Sequence, residues 1–323
     1  MPGFVTHYLF GFDTFRKITD PSVRSSIRNH PTAYSLGLQG PDVFFYYPIS
    51  YLIHPRNIGN IAHDTETGRF FAALLKARAR LVPDSAAAAI ADAYLLGFIG
   101  HYTLDTHAHP YVYARTKYDP DHKPSQKDYF GQHAYLETEL DNELLMRDKG
   151  LVPSDFHMER TIRLSFRERS VIADLLTQAY RDTYQTAYPT LKVKRHQVKS
   201  AALWMYHLTM LMRDPSGKKK ALVRLLEGRF IGKPTVSAMI PSDYLTFALD
   251  PLNLAHRTWK HPWTKESTRA SFEDLFDQAM RCYLNRISLY RQWISTGHST
   301  EAETVLLADY GNRSFSSGLT IEN

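Results

Sequence analysis

The chain has 323 residues, of which 43% are hydrophobic and 13% aromatic, and its formal net charge is +6. This composition is sufficient for a packed core, and it excludes a membrane-spanning helix because the long apolar run 86–104 is broken by Asp92 and His101. The lone Cys282 excludes an internal disulfide, and the N-terminal residues lack the pattern of a signal peptide, so we expect a cytoplasmic protein.

The charge is distributed unevenly along the chain. Residues 1–150 contain 15 Lys and Arg against 16 Asp and Glu, whereas the remainder contains 24 against 17. The second half includes two basic clusters, at 192–195 and 218–220. Such clusters could attract an anionic substrate or a membrane surface, but they are more typical of solvated helix ends, which is the interpretation we favour.

Two helices are predicted at the N-terminus. The first covers residues 2–17, and its apolar residues recur at helical spacing, so His7 is expected near the buried face. The second begins after Asp20, a typical N-cap residue that is followed by Pro21 at the first helical position.

The next stretch combines a break with an acid and several aromatic residues. Gly40 and Pro41 interrupt the chain directly before Asp42, which precedes the aromatic run 44–47. Asp42 could be an N-cap or a metal ligand, and the sequence leaves both open. Residues 48–68 are rich in Pro and Gly, which predicts an irregular segment. That segment contains two histidines, His54 and His63.

Helical periodicity resumes at 69–81 and 85–104, and the second of these helices ends in His101-x-x-x-Asp105. His109 follows directly before Pro110, which we expect to end the helix. The polar and aromatic segment 111–130, with an exposed His122, should then cross over the site. A further helix over 132–149 contains His133-x-x-x-Glu137.

The two His-x-x-x-acid pairs are candidates for metal binding. Residues four apart lie on the same face of a helix, so each pair can direct an imidazole and a carboxylate at one point. His101 and Asp105 are the stronger pair, because a buried charge at the end of an apolar run needs a partner or a metal. The alternative is that these are satisfied core histidines.

The second half of the chain is also predicted to be helical. Helical patterns cover 168–187, 196–213, 218–227 and 268–295, and β-branched residues nowhere alternate over a useful length, so the fold is expected to be all-α. In the 196–213 helix we predict that four residues pack in the core and that His207 is a satisfied core residue. The four are Trp204, Tyr206, Met210 and Met212.

Taken in chain order, the candidate ligands resemble the metal-binding array of the zinc-dependent phospholipase C family, whose fold is shared with the P1/S1 nucleases. They are His7, Asp42, His63, His101, Asp105, His109, His133 and Glu137. The resemblance implies an all-α, phospholipase C/P1 nuclease-like multi-helix domain with additional C-terminal helices. The motif covers residues 1–150, and two later stretches, H-P-W-T-K-E-S-T and G-N-R-S-F-S-S-G-L, are similar to those of a bacterial subgroup.

The resemblance also implies about three zinc ions and a division of the ligands among them. The first set is Asp42, His63, His101 and Asp105. The second set is His109, His133 and Glu137. The third set is His7, a bridging Asp105, and the amine and carbonyl oxygen of Pro2 after removal of Met1. His54 is an alternative to His63, and His107 to His109; we favour His63 and His109.

Close metal ions of this kind suit a phosphodiester, because they act as Lewis acids and activate water. We therefore predict a zinc-dependent phosphodiester hydrolase of phospholipase C type, with Asp42 orienting or deprotonating the attacking water. Residues 44–47 would wall the leaving-group pocket or pack in the core. One alternative is a single-strand-specific P1/S1-like nuclease that binds single-stranded nucleic acid, and another is a non-catalytic protein stabilised by zinc.

We further expect a single domain over residues 1–323. Residues 1–150 would supply the metal ligands and residues 151–323 would complete the core, because the first half holds few helices over which to bury apolar faces.

Overall fold

In the computed structural model, residues 3–50, 56–122, 126–243 and 250–322 are described, and the side chains of 126–128 are excluded. The first helices are α1 (Phe4–Lys17), α2 (Pro21–Asn29), α3 (Pro31–Gly37), α4 (Ile58–Asp64), α5 (Thr67–Ala79), α6 (Ala86–Arg115) and α7 (Gln126–Lys149). The later helices are α8 (Met158–Thr161), α9 (Phe166–Tyr184), α10 (Arg195–Met212), α11 (Lys218–Phe230), α12 (Val236–Met239), α13 (Phe272–Ser295) and α14 (Thr300–Tyr310). Short 3-10 helices cover Gly40–Phe44 and Pro153–Asp155.

The prediction of an all-α fold is confirmed. Within the described residues, the only strands are β1 (Trp259–Lys260) and β2 (Ser267–Thr268), which form a small antiparallel pair. Among the same residues, no helix is both long enough and apolar enough to cross a bilayer.

Helix α6 lies at the centre of the molecule. It buries 22 of its 30 residues and is apolar around most of its circumference, as expected for a helix surrounded by other elements. Helix α3 crosses α6 at very short range, because both helices have a glycine at the crossing. A Cβ on Gly37 would lie 2.1 Å from the Tyr94 carbonyl oxygen, and a Cβ on Gly97 would lie 2.1 Å from the Tyr34 carbonyl oxygen. This close crossing brings the 3-10 helix that follows α3 over the histidine-bearing part of α6.

The prediction that Pro110 ends this helix is wrong, because α6 continues to Arg115. A proline inside a helix removes the hydrogen bond to the carbonyl four residues earlier. Here the helix continues because Tyr111 and Val112 beyond the proline are fully buried. Gly318 also lies against the Thr106 carbonyl, where an added Cβ would be only 2.3 Å from the oxygen. Tertiary packing therefore outweighs the local effect of proline.

Two further expectations about local structure are corrected. The segment 48–68 is not wholly irregular, because α4 starts after Asn57, whose side chain accepts a hydrogen bond from the Gly59 amide. The segment 111–130 is helical at both ends, because α6 extends to Arg115 and α7 begins at Gln126. His122 is exposed there, as predicted.

Helix α10 packs through a different face from the one we predicted. Its buried residues include Val198, Ala201 and Met205, whereas Trp204 is 40% and Met210 48% exposed. His207 is also exposed, so it is not a core histidine; Tyr206 and Met212 are half-buried. The helix carries apolar residues on more than one face, and spacing alone does not determine which of them is covered.

C-terminal helices also cover α6, beside α3. The Tyr283 hydroxyl in α13 donates to the Leu96 carbonyl at 2.6 Å, and Arg286 donates to the Thr103 hydroxyl at 2.9 Å. We propose on this basis that residues 151–323 complete the core of a single 1–323 domain.

A fragment of residues 1–150 is accordingly expected to lack cooperative folding, because α6 would lose the side chains that cover it. Thermal unfolding of the fragment, followed by circular dichroism, tests this expectation. A sharp transition together with full zinc content would contradict it.

Candidate metal centre

The predicted ligands converge on α6, which carries three of them, from four surrounding elements. His101, Asp105 and His109 lie at successive four-residue intervals on α6, so they share one face of the helix. The other five residues approach this row from the elements packed around it. His7 comes from α1, Asp42 from the 3-10 helix, His63 from α4, and His133 and Glu137 from α7.

These residues form three groups in which one side-chain ligand atom of each member lies within 4.8 Å of the others. The groups are His7, His101 and Asp105; Asp42, His63 and His101; and His109, His133 and Glu137. The structure thus brings together all eight described residues of the predicted array. Pro2 and His54 lie outside the described residues. His107 is in none of the groups; its Nδ1 lies 2.7 Å from the Thr103 carbonyl oxygen.

Asp105 lies between two of the groups. Its Oδ1 is 3.1 Å from His7 Nε2, and its Oδ2 is 3.2 Å from His101 Nε2. The two oxygens of one carboxylate thus face different histidines. That is the arrangement expected of a carboxylate that bridges two cations.

Hydrogen bonds fix the orientation of several imidazoles. His101 Nδ1 lies 3.1 Å from the Leu38 carbonyl oxygen, and His63 Nδ1 lies 2.7 Å from the Gly59 carbonyl oxygen. His109 Nδ1 lies 2.8 Å from the Phe315 carbonyl oxygen. Because a carbonyl oxygen only accepts, Nδ1 must carry the proton, and in a neutral ring Nε2 then presents a lone pair. Backbone carbonyls commonly hold metal-binding histidines in this tautomer.

The inward-facing atoms do not satisfy one another by hydrogen bonding. Among the described residues, His63 Nε2, His101 Nε2, Asp42 Oδ1 and both Asp105 oxygens are buried without a hydrogen-bond partner. Yet His63 Nε2 is 3.0 Å from Asp42 Oδ1. Lone pairs that face each other at this range repel unless a proton or a cation lies between them. Tetrahedral zinc with bonds of about 2.0–2.1 Å places its ligand atoms roughly 3.3 Å apart, which these separations approach.

The pKa values of the buried site residues are shifted in different directions. Burial lowers the pKa of His109 to about 4 and that of His133 well below its usual range, so both rings are neutral near pH 7. Burial alone would raise the pKa of Asp105, but His101, His109 and His7 together hold it well below the usual range, which keeps the carboxylate ionised. The neutral rings of His109 and His133 are in the protonation state that a divalent metal requires. In His101, Asp105 and Asp42 outweigh burial and raise the pKa, so a proton competes with a metal beside Asp105.

The group formed by His109, His133 and Glu137 is the most accessible. The side chains of His133 and Glu137 are each 12% exposed, compared with 0% for His101 and Asp105. Aromatic rings lie around this accessible group. The Tyr113 ring centroid is 4.9 Å from that of His133 and 5.2 Å from that of Trp263. Trp263 belongs to the H-P-W-T-K-E-S-T stretch, so that stretch contributes to the rim of the site.

The aromatic run 44–47 is divided between the core and the site. Phe44 is fully buried with its ring 5.4 Å from Tyr180, and Tyr47 is also buried, so these two residues belong to the core. The ring of Phe45 lies 5.5 Å from that of His63. Of these three residues, Phe45 is the one whose ring contacts the metal centre.

The C-terminal tail is a part of the site to which our sequence analysis assigned no role. Phe315 accepts the bond from His109 through its carbonyl, donates its amide to the His63 carbonyl at 2.9 Å, and places its ring 4.8 Å from the His63 ring. Ser314 and Ser316 each donate a hydroxyl to Asp64 at 2.9 Å. The signal in the sequence was the stretch G-N-R-S-F-S-S-G-L itself.

A family model described as zinc dependent phospholipase C matches residues 6–192. The chain belongs to the zinc-dependent phospholipase C family. The match includes all eight described residues of the array, whereas the C-terminal tail lies beyond it. No curated protein and no solved structure shows significant similarity to the chain. Membership in the zinc-dependent phospholipase C family and the three buried groups together fit zinc binding.

Gly40 makes the approach of Asp42 to α6 possible. Its φ is +49°, and a Cβ at this position would lie 2.2 Å from His101 Cδ2. Gly40→Ala is therefore expected to displace the His101 ring and lower zinc content by about one ion per chain, measured by mass spectrometry after reconstitution. Gly150→Ala is the matched control, because Gly150 has a φ of +64° but no atom within 4 Å of an added Cβ. Equal zinc content in the two variants would contradict the expectation.

Proposed function

We propose that the protein is a zinc-dependent phosphodiester hydrolase of phospholipase C type, in which a water molecule attacks the phosphorus. The observation that carries this proposal is the pair of Asp105 oxygens facing different histidines, within an array of eight buried or nearly buried ligands. Zinc, when bound, would supply Lewis acidity that lowers the pKa of water and withdraws charge from the phosphoryl oxygens.

The proposed ligand sets are those of the sequence prediction, and they assign His101, which belongs to two of the three groups, to the ion held by Asp42 and His63. Asp42, His63, His101 and Asp105 would hold one ion, and His109, His133 and Glu137 a second. His7 and Asp105 would hold a third, with Pro2 as the predicted remaining ligand; the total of about three ions is part of the proposal.

The chain's own residues would orient the reactants and accept a proton. Asp42 Oδ1 is buried and faces the centre, where a carboxylate can orient water and accept its proton. The second and more open group would receive the phosphoryl oxygens, since access is required there. The Tyr113 and Trp263 rings at that opening would contact the organic part of the substrate.

The aromatic rim also supports the second candidate, a single-strand-specific nuclease, because bases stack on such rings. Hydrolysis of bis-p-nitrophenyl phosphate, a phosphocholine ester and single-stranded DNA by the zinc-loaded protein tests both candidates. We expect the first two to be cleaved, and cleavage to stop when a chelator removes zinc. Cleavage of DNA with a steep salt dependence would favour the nuclease. Full zinc content without any hydrolysis would favour the structural role for zinc.

A further inference from the structure

Helix α11 has a surface pattern opposite to that of an ordinary helix on a soluble protein. Of its residues only Glu227 is buried, whereas four large apolar side chains are exposed. The exposed residues are Leu222 (58%), Leu225 (71%), Leu226 (48%) and Phe230 (79%). They recur at intervals of three and four residues and so lie along one face. Contiguous exposed apolar surface of this kind marks an interaction site.

Hydrogen bonds fix the orientation of this helix. The Glu227 carboxylate accepts bonds from the backbone amides of Val236 and Ser237 and from the Ser237 hydroxyl, which holds the polar side of α11 inward. At the other end, Lys219 Nζ donates to the Arg213 carbonyl at 2.7 Å. The apolar face is therefore held outward by the contacts on the opposite side.

The same segment is strongly cationic. Residues 213–233 contain seven Lys and Arg but only two acids, Asp214 and Glu227. Both acids are buried and accept hydrogen bonds from backbone amides, such as that of Lys220 to Asp214 at 2.7 Å, so their charges face inward. Lys218, Arg224 and Arg229 are exposed. An apolar helix face with exposed cations beside it is the pattern of helices that lie in a membrane interface.

We propose that α11 docks on an anionic lipid bilayer. Its four exposed apolar side chains would enter the acyl region, and the exposed Lys218 and Arg229, which lie four residues from Leu222 and Leu225, would contact anionic head groups. Charge complementarity selects this partner, because a second copy of the chain would bring two cationic faces together. The basic cluster 218–220 is thus part of a binding surface rather than a solvated helix end.

Helix α7 lies between the docking surface and the metal centre. Pro234, four residues after the end of α11, packs on Gly131 of α7, where an added Cβ would lie 2.2 Å from the Pro234 carbonyl oxygen. His133 is two residues further along α7, and residues two apart do not share a helix face, so α11 and the candidate ligands contact different sides of α7. The docking proposal therefore does not depend on the proposed function.

Co-sedimentation of the full-length, zinc-loaded protein with vesicles tests the docking. One set of vesicles is phosphatidylcholine alone and the other contains phosphatidylglycerol as well, with lipid phosphorus measured to confirm that they stay intact. We expect preferential, salt-sensitive binding to the mixed vesicles. The double variant Leu225→Ser/Phe230→Ser should bind them at least about tenfold more weakly. Val82→Ser is the control, because Val82 is 72% exposed and belongs to the segment between α5 and α6 rather than to α11.

A second variant, Lys218→Gln/Arg229→Gln, tests the charge contribution. We expect about tenfold weaker binding to mixed vesicles and a reduced salt dependence. Equal binding by wild type and the serine double variant would overturn the proposal. The proposal would also be overturned if the wild-type protein formed a dimer that the serine substitutions dissociated. In that case the partner of α11 would be a second copy of the chain. Thermal unfolding of each variant confirms that it is folded.

Catalysis distinguishes this proposal from the proposed function. The serine double variant should hydrolyse bis-p-nitrophenyl phosphate at the wild-type rate, because none of its changes touches the metal centre. Vesicle binding without hydrolysis of any diester would support docking and overturn the proposed function. Hydrolysis of soluble diesters without vesicle binding would support the proposed function and overturn docking.

Discussion

Replacement of Asp105 by Asn is expected to remove about two of about three zinc ions and to lower diester hydrolysis on the order of a thousandfold. Asp105 is completely buried, and its two oxygens face His7 Nε2 and His101 Nε2 at 3.1 and 3.2 Å. An asparagine keeps one oxygen but replaces the other with an NH₂ group, which cannot bind a cation. It also removes the negative charge that offsets two divalent ions.

Glu137→Gln should have a smaller effect than Asp105→Asn. Glu137 belongs only to the group with His109 and His133, so its loss is expected to release about one ion. Zinc content after reconstitution and gel filtration, measured together with hydrolysis of bis-p-nitrophenyl phosphate, gives the comparison. Small and equal losses in the two variants would show that neither residue is a ligand.

Asp92→Asn is the matched control for these variants. Asp92 is on the same helix as Asp105, and its oxygens accept hydrogen bonds from Arg78 at 2.6 and 2.9 Å, away from the metal centre. This substitution should lower the melting temperature, because it weakens a largely buried ion pair, and leave zinc content unchanged. Zinc loss from Asp92→Asn equal to that from Asp105→Asn would attribute the metal effect to general destabilisation.

The row of ligands on α6 could be predicted because helical spacing determines it. His101 and Asp105 are four residues apart, and in any helix they share a face. His109 was favoured because of an expected helix end at Pro110, yet it occupies the row for a different reason: the helix continues and adds one more turn. His109 lies in the row, but the helix end given as the reason for favouring it is wrong.

The surroundings of the ligands could not be predicted in the same way. His63 is placed by α4, a short helix whose stability comes from burial of Ile58 and Ile61, and no local pattern indicates that burial. The acceptor for His109 is a backbone carbonyl, Phe315, which every residue type provides. Likewise, the exposed apolar side chains of α11 could not be predicted, because the sequence does not show which face of a helix the rest of the chain covers.

Removal of residues 312–323 is expected to lower zinc affinity by about a hundredfold or more, and activity with it, although all eight described candidate ligands would remain. His109 would lose the Phe315 carbonyl that holds its Nδ1–H at 2.8 Å, and its ring could then rotate or change tautomer. His63 would lose both the amide bonded to its carbonyl and the Phe315 ring at 4.8 Å. Each lost partner of a metal-binding histidine typically costs about 10- to 100-fold in affinity.

Two variants separate this positioning role from a loss of folding. Removal of residues 322–323 alone should preserve zinc binding, because the contacts to His63 and His109 come from Phe315. Phe315→Leu keeps the backbone partners and an apolar side chain but removes the ring, so it should retain most of the zinc affinity with a lower melting temperature. Titration with zinc against a competing chelator measures each affinity. Unchanged affinity in the folded 312–323 deletion would show that the tail does not position the histidines.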